Sequence, residues 1–451
     1  MSRQASLSTA SAGVSNHEKK SLDESSKTCE LEGDFPDGGW RAWTVVFGAW
    51  CGLTPTFAVM NIGGILEAWL LDHQLQGYSE ATVSWIFSVW CFLLYMGGIV
   101  VGPVFDKYGI RYTVVPGAVG AVLSVMFLSV STEYYQFLLG FGVLGGLSFS
   151  TLITPSLGCV THWFNKKRGL ATGLACTSGG IGGIVFTQVF SSLSPQIGFA
   201  WTIRVLGFIC LLLCLLSILL LQTHLPSSSA LPLNIDLRSI IHDPVFLLTS
   251  LSVVLAEAGL IIPVIYLPSY ALSHGISTAL SFQLMSIFNA TSIVGRIIPG
   301  ILADRIGRFN VMFGVSCVCT ILAFGLWLNA AANRAAILSF VALCGFWSGP
   351  AISLSPVCVA QVCETRDYGK RYGTTSLLIG VVLLVIVPSA GEILRVQNDR
   401  TSESLPASTT TGRPTDYSGL ICLCGAAYAG SAVCIFLARG MKVGWRPMVV
   451  F

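Results

Sequence analysis

Residues 102–111 read GPVFDKYGIR, and residues 300–308 read GILADRIGR. The two stretches start 198 residues apart and keep a glycine, an aspartate, a base and a second glycine at the same spacing. Each one separates two long apolar stretches, which is typical of a charged loop at a membrane surface. Because the motif recurs at about half the chain length, it predicts two similar halves embedded in a membrane.

The composition is that of a chain for which lipid is much of the solvent. Of the 451 residues, 53% are hydrophobic and 10% are charged, whereas soluble domains carry roughly 25% charged residues. A soluble core of this length could not bury so much apolar surface, so we expect a multi-pass membrane protein. The net charge of +3 comes without a basic stripe. This excludes nucleic acid and leaves membrane lipid and a small-molecule substrate as the expected partners.

The sequence predicts no cofactor and no metal site. The 15 cysteines lie mostly within apolar runs, where they behave as small hydrophobic residues. No Gly-x-x-x-x-Gly-Lys-Ser/Thr loop occurs, so we do not expect ATP to drive the protein. The six histidines lie in the tail, in loops or at span ends, which argues against a membrane-embedded enzyme.

Twelve apolar runs are long enough to cross a bilayer, which takes about 20 residues in a helix. They predict an all-α membrane protein with twelve transmembrane helices in two pseudo-symmetric six-helix halves. The predicted spans lie near residues 42–66, 81–104, 112–131, 135–161, 169–192, 200–222, 244–271, 280–303, 310–330, 335–362, 372–394 and 417–438. The predicted domains are a disordered N-terminal tail (1–36), an N-terminal half (37–222), a linker (223–243), a C-terminal half (244–439) containing a polar external insert (396–416), and a C-terminal tail (440–451).

Lysine and arginine are distributed asymmetrically over the predicted loops. With both termini in the cytoplasm, 19 of the 25 basic residues lie in cytoplasmic segments, four in external loops and two within spans. Cytoplasmic loops of membrane proteins carry such an excess of positive charge. We therefore predict cytoplasmic termini and an even number of spans, and we expect the plasma membrane as the location.

Two further stretches carry the resemblance to a known family. The first opens span 1, and the second, HWFNKKRGLATG, opens span 5. Their characteristic residues are Asp37, Gly38 and Trp40 in the first stretch and Lys167, Arg168 and Gly173 in the second. Together they resemble the signatures of the monocarboxylate porter family of the major facilitator superfamily, and of its fungal branch in particular. The resemblance implies the major facilitator fold and secondary transport.

The resemblance also implies a role for the repeated motif. In the superfamily its charged residues lock the cytoplasmic side in the outward-facing state. In this chain they are Asp106, Lys107, Arg111, Asp304, Arg305 and Arg308. The motif has a physical rationale, because glycine lets two helices approach closely and an aspartate can pair with bases or with a helix N-terminus. The alternative is that these charges only hold the loops on the cytoplasmic side.

Two charged residues lie inside predicted spans. Arg296 lies in span 8, where its guanidinium suits a carboxylate or phenolate, so it is a candidate substrate-binding residue. Glu257 lies midway along span 7 and is a candidate proton-coupling residue. The alternatives are structural: Arg296 can pair with the nearby cytoplasmic gate, and Glu257 can pair with Arg296 across the bundle.

Four other residues are candidates for the substrate site. Asn61 stands where relatives that carry short monocarboxylates with a proton have a lysine, and Asn289 opens a stretch that resembles the fungal branch. Tyr266 and Trp347 can stack on a planar metabolite. For each aromatic residue, lipid contact or helix packing is the alternative.

These observations favour a secondary transporter that moves an organic acid or related small metabolite by alternating access. The absence of the lysine at Asn61 favours export of a larger, partly aromatic metabolite, driven by a gradient that can be one of protons. Proton-coupled uptake of short monocarboxylates is the first alternative. A non-transporting membrane sensor is an alternative of another class.

Overall fold

A computed structural model describes residues 35–224, 242–330, 333–403 and 416–444. Most of the predicted N-terminal tail (1–36), linker (223–243) and C-terminal tail (440–451) lies outside these residues, as does much of the predicted insert (396–416). The described residues from Asp37 onward form one compact unit. Within them every regular element is helical, as predicted.

The helices follow the predicted apolar runs. Span 1 is Gly39–Asp72, span 2 is Glu80–Met96 with Gly98–Tyr108, and span 3 is Arg111–Val130. Span 4 is Tyr134–Gln136, continued through Phe137–Val143 and Leu144–Trp163. Spans 5 and 6 are formed by Arg168–Cys176 and Ser178–Leu220. Spans 7 to 12 are formed by Pro244–Ser273, Thr278–Ile306, Arg308–Ile321 continued by Leu322–Trp327, Arg334–Gln361, Tyr368–Glu403 and Ser418–Val443.

The described residues contain eleven apolar helical stretches long enough to cross a membrane, and one of them is long enough to cross twice. The stretch Arg168–Leu220 has 53 residues, which is about 80 Å of helix against a hydrocarbon thickness of about 30 Å. It breaks at Gly198, whose φ of 78° is outside the helical range and is open to glycine without strain. Spans 5 and 6 therefore meet at Gly198, and the described residues account for the twelve predicted spans.

Span 11 is longer than its apolar run predicts. The run ends near residue 394, but the helix continues to Glu403. The side chain of Gln397 accepts a hydrogen bond from the Gly419 N–H (3.1 Å), and Asn398 accepts one from the Asp416 N–H (3.0 Å). These bonds fasten the polar extension to the start of span 12. The first residues of the predicted insert are therefore helical.

Small residues bring the first six spans against the last six at one side of the membrane. A Cβ added at Gly102 of span 2 would lie 1.9 Å from the carbonyl oxygen of Gly369 in span 11. A Cβ at Gly169 of span 5 would lie 2.5 Å from the carbonyl oxygen of Gly300 in span 8. Glycine permits such backbone approach between membrane helices. Spans 2 and 8 end here and spans 5 and 11 begin here, so we call this the gate side.

Candidate functional site

Two aspartates close the gate side by capping helices from the other set of six spans. Asp106, at the end of span 2, accepts hydrogen bonds from the N–H groups of Gly369 (3.1 Å) and Lys370 (2.9 Å) at the start of span 11. Asp304, at the end of span 8, does the same with Gly169 (2.8 Å) and Leu170 (2.9 Å) at the start of span 5. The two copies of the repeated motif thus make the same contact in opposite directions.

The caps satisfy backbone groups that a helix leaves unpaired. The first N–H groups of a helix have no partner within it and carry partial positive charge, so a carboxylate binds them through charge-assisted hydrogen bonds. Asp106 is only 8% exposed, and it keeps these partners only while spans 2 and 11 remain in contact. The same holds for Asp304 with spans 5 and 8. The caps therefore stabilise one conformation of the bundle.

Two arginines add further contacts across the gate side. Arg308 donates to the side chain of Gln361 and to the carbonyl of Asn165, and it lies 4.0 Å from Asp304. Arg168 donates to the carbonyl oxygens of Phe164 (2.8 Å) and Thr161 (3.2 Å) in its own set of spans. It also reaches that of Ala360 in span 10 (3.5 Å). Sequence reasoning assigned Arg168 only to a family signature and missed this bridging position.

The other predicted gate bases lie outside this contact. Arg111 and Arg305 are exposed, and the Lys107 ammonium lies 5.5 Å from the centre of the Tyr108 ring. Asp106, Asp304 and Arg308 thus each make a contact between the two sets of spans, Asp106 at one point and the other two at another. The remaining three bases make no such contact among the described residues.

An ion pair beside the cap on span 11 holds the start of span 7. Asp243 caps span 7 by accepting from the Phe246 N–H (3.1 Å) and pairs with Arg371 (2.8 Å). Burial alone would raise the pKa of the Asp243 carboxyl, but these hydrogen bonds outweigh it and hold that pKa below its ordinary value. Because the folded-state pKa is lowered, the stabilisation is present above about pH 3.9 and is lost only as the pH falls through the folded pKa.

The two family signatures contact each other. Asp37 Oδ1 accepts hydrogen bonds from the N–H groups of Asn165 (2.8 Å), Lys166 (2.7 Å) and Lys167 (3.3 Å). Asp37 thereby clips the start of span 1 to the loop between spans 4 and 5. Gly38 has open space around it and Trp40 is 83% exposed. Among these residues, Asp37 makes the contact that joins the signatures.

The Asp37→Ala variant should lose thermal stability without losing the ability to transport. Removing a side-chain cap costs about 1 kcal/mol, so we expect the melting temperature of the purified protein to fall by a few degrees. Asp72→Ala is the matched control, because Asp72 is an exposed acid at the other end of span 1. Equal melting temperatures of Asp37→Ala and wild type would show that the clip contributes nothing.

Arg296 lies buried where span 5 is interrupted. It is 5% exposed and donates to the carbonyl of Cys176, the last residue before that interruption. A Cβ at Gly179 would lie 2.6 Å from Arg296 Nη1, and one at Gly349 would lie 3.4 Å from its Cγ. The side chain therefore fills a slot between spans 5 and 10 that two glycines leave open. Its Nε has no hydrogen-bond partner among the described residues.

Glu257 lies near Arg296 but does not pair with it directly. It is 9% exposed and interacts electrostatically with Arg296, Tyr95 and Tyr372. Within the described part of the chain no carboxylate lies within 4.0 Å of the Arg296 guanidinium. Two opposite charges are thus buried close together without closing on each other, an arrangement that a charged ligand or a proton can complete.

Asn61 and Asn289 meet at the same level of the bundle. Asn289 Nδ2 donates to Asn61 Oδ1 (3.2 Å), which joins span 8 to span 1. Asn61 Nδ2 donates in turn to the carbonyl oxygens of Phe57 (2.7 Å) and Gly179 (3.4 Å). Gly179 also borders Arg296, so the asparagine pair and the arginine are neighbours. Sequence reasoning proposed both asparagines, but it did not predict their contact.

Neither of the two predicted aromatic residues makes a described contact with Arg296 or with the asparagine pair. Tyr266 lies nine residues beyond Glu257 towards the outer end of span 7, with its hydroxyl beside Gly391. Trp347 is half-buried and packs edge-on against Phe346, with ring centres 5.2 Å apart. Their role in substrate stacking therefore stays a prediction.

Comparison with known proteins identifies the family. Residues 45–388 match the sequence model of the Major Facilitator Superfamily. The chain belongs to this superfamily. It is a multi-pass membrane transporter, and the predictions of the fold class and of secondary transport of a small molecule are confirmed.

Relatives and a solved structure agree with this assignment. The chain is 33% identical to "Riboflavin transporter MCH5" of Saccharomyces cerevisiae, over 96% of this chain and 84% of that protein. It is 36% identical to "Aspyridones efflux protein apdF" of Emericella nidulans, over 80% of this chain and 73% of that protein. The fold matches the proton:xylose symporter XylE with a TM-score of 0.65 at 13% identity, over 90% of this chain and 96% of that chain.

Proposed function

We propose that this transporter exports a secondary metabolite, an organic acid or related planar compound, across the plasma membrane. The observation that carries the proposal is the buried cluster of Arg296, Glu257, Asn61 and Asn289 between the two sets of six spans, beneath a gate side closed by the two caps. Support also comes from the relatives, of which one is named for efflux of aspyridones and another for riboflavin transport.

In this proposal residues 37–222 and 244–439 move as two bodies. The gate side faces the cytoplasm, as the distribution of basic residues suggests. Substrate enters from the cytoplasm once Asp106 and Asp304 release the helix starts that they cap. The caps form again when the loaded transporter opens to the outside. The bonds across the gate side are therefore broken and remade in every cycle.

Arg296 binds an acidic group of the substrate, and Glu257 supplies the coupling to protons. When Glu257 is ionised it offsets the charge of Arg296, and when it is protonated it leaves Arg296 to an anionic ligand. Protonation of Glu257 and binding of the anion at Arg296 therefore favour each other, so the anion and one proton would leave the cytoplasm together. The outward gradient of the exported compound would then drive the cycle.

We also propose that the chain belongs to the monocarboxylate porter family. The support is the contact of Asp37 with the backbone N–H groups of residues 165–167, because it joins the two signature stretches to each other. Asn61 replaces the lysine of the members that carry short monocarboxylates. Its side chain is engaged with Asn289 and backbone carbonyls, which disfavours a role in binding lactate-sized anions.

Metabolite profiling of the native host, with and without the gene, tests the proposal. We expect one compound to accumulate inside the cells of the deletion strain and to disappear from the medium, and the wild-type gene to reverse both changes. Loss of growth or uptake on a short carboxylic acid, with no such accumulation, would contradict export and favour uptake of monocarboxylates. Unchanged fluxes in both directions would favour a sensor.

A further inference from the structure

The asparagine pair has a fixed orientation. Asn61 Nδ2 faces the carbonyl oxygens of Phe57 and Gly179, so its Oδ1 must point to Asn289. Because Asn61 presents an acceptor, Asn289 must present its Nδ2 as the donor. A flipped Asn289 amide would place two carbonyl oxygens against each other. The hydrogen-bond network therefore decides which edge of Asn289 remains open.

Asn61 engages both its amide nitrogen and its amide oxygen in this arrangement, whereas Asn289 engages only its nitrogen. Asn61 uses both N–H groups and accepts one bond at its oxygen. Asn289 uses one N–H on Asn61, and among the described residues no group donates to its Oδ1. A primary amide has two donors and one acceptor oxygen. Among the described residues, Asn289 therefore retains one N–H and its Oδ1 without partners. The residue as a whole is only 8% exposed, but this oxygen is not one of the fully enclosed polar atoms, so the open edge is accessible to a ligand.

The open edge has a specific chemical complement. A neighbouring N–H and C=O on the ligand can pair with it through two hydrogen bonds, as asparagine does with the edge of adenine. Lactams, pyridones and cyclic imides present such an edge. A carboxylate offers acceptors only, so it would suit the guanidinium of Arg296 and would oppose the carbonyl oxygen of Asn289.

Asn289 and Arg296 form two recognition points on one face of span 8. They are seven residues apart, which is two helical turns and about 10 Å along the axis. Asn289 is the outer of the two points and Arg296 the one nearer the gate side. A planar heterocycle with an acidic substituent can meet both points in a single pose.

We propose that Asn289 binds the lactam or imide edge of a planar heterocyclic substrate and that Asn61 is the residue that positions it. This inference rests on the proposed function and names the chemical class of the substrate. It separates the two asparagines, since only Asn289 contacts the ligand.

Binding of two matched ligand pairs to the purified full-length protein tests the inference. One pair is 2-pyridone-5-carboxylate and its N-methyl form, and the other is riboflavin and 3-methylriboflavin. N-methylation removes the ring donor and changes little else. We expect the wild type to prefer the N–H form of at least one pair by about tenfold, the size of a good bidentate contact.

Variants of the two asparagines test whether Asn289 causes this preference. In Asn289→Leu, the ratio of the affinities for the N–H and N-methyl forms should fall close to one. If the leucine variant fails to fold, Asn289→Ser removes the same amide edge without adding apolar volume. Asn61→Ala should reduce the preference only partly. Asn329→Leu, at an exposed asparagine near the outer end of span 9, is the matched control and should preserve it.

Three results would overturn the inference: no binding of either pair, equal affinity for both members of each pair, or a preference that survives in Asn289→Leu. Metabolite export by the same strains separates this failure from that of the proposed function. If the wild type exports a metabolite but shows no preference within either pair, the substrate class alone is overturned. If the wild type shows neither export nor preference, the proposed function is wrong as well.

Discussion

The Arg296→Gln variant should lose transport by about 30-fold or more while the protein stays folded. Removing one partner of a buried, charged hydrogen bond costs about 2–5 kcal/mol, which is roughly 30-fold to several thousand-fold in affinity. Glutamine removes the charge but keeps an amide donor and much of the side-chain volume, which limits the disturbance of the packing at the interruption of span 5. Transport of the exported compound into inverted vesicles, together with thermal unfolding of the purified variant, measures both effects.

A matched arginine separates a specific effect from the cost of disturbing any charge inside a span. Arg204 also lies within a span, but its guanidinium sits 4.8 Å from the centre of the Trp201 ring and 3.4 Å from Ser129 Oγ. Arg204→Gln should transport at a rate close to that of the wild type. A large drop in melting temperature in Arg296→Gln alone would favour the structural alternative, in which Arg296 only holds the bundle together.

The Glu257→Gln variant shows whether Arg296 and Glu257 form a structural pair or bind substrate and a proton separately. If Arg296 and Glu257 form only a structural pair, either single variant leaves an uncompensated buried charge, and the double variant should recover stability. If Arg296 binds substrate and Glu257 a proton, Glu257→Gln should still bind substrate, but its transport should no longer respond to a proton gradient. Adding Arg296→Gln should then restore nothing.

The repeated motif and the apolar runs predicted the fold because each depends on side chains that the sequence shows directly. Hydrophobic length predicts a span, and an aspartate between two glycines at the end of a span predicts a polar contact at the surface. Even the short turn between spans 5 and 6 was predictable, since the gap between two apolar runs falls around Gly198.

The partners of these residues were not predictable, because most of them are backbone groups. Asp106 binds two N–H groups more than 260 positions away along the chain, and Arg296 donates to the carbonyl of Cys176. Neither partner depends on the identity of a side chain. Asn61 and Asn289 lie 228 residues apart and have ordinary sequence surroundings. Only the packing of spans 1, 5 and 8 shows that their amides meet.

The double variant Asp106→Ala with Asp304→Ala should shift the transporter towards the state that is open at the gate side. Each substitution removes a carboxylate that accepts two backbone hydrogen bonds. Losing a cap of this kind costs about 1–2 kcal/mol, so the pair should change the conformational equilibrium by roughly 30-fold to 1,000-fold. Export should fall sharply, because the cycle requires the gate side to close.

Native cysteines report this shift without a further substitution. Cys358 in span 10 is fully buried in the closed structure and lies close enough to Arg308 to interact electrostatically. In nanodiscs, a membrane-impermeant maleimide should modify Cys358 much faster in the double variant than in the wild type. Cys210 is equally buried but lies in span 6, away from the gate side, and its slow labelling should not change.

Asp367→Ala is the control for loss of an acid near the start of span 11. Asp367 pairs with Lys370 (3.3 Å), but its side chain is 42% exposed, and such a pair contributes little. In Asp367→Ala, the labelling of Cys358 and the export rate should match those of the wild type. Unchanged labelling of Cys358 in the double variant would contradict a gate built on the two caps, since the repeated aspartates would then serve only to keep their loops on one side. Intermediate labelling in each single variant, adding up in the double variant, would show that the two caps act independently although the motif repeats.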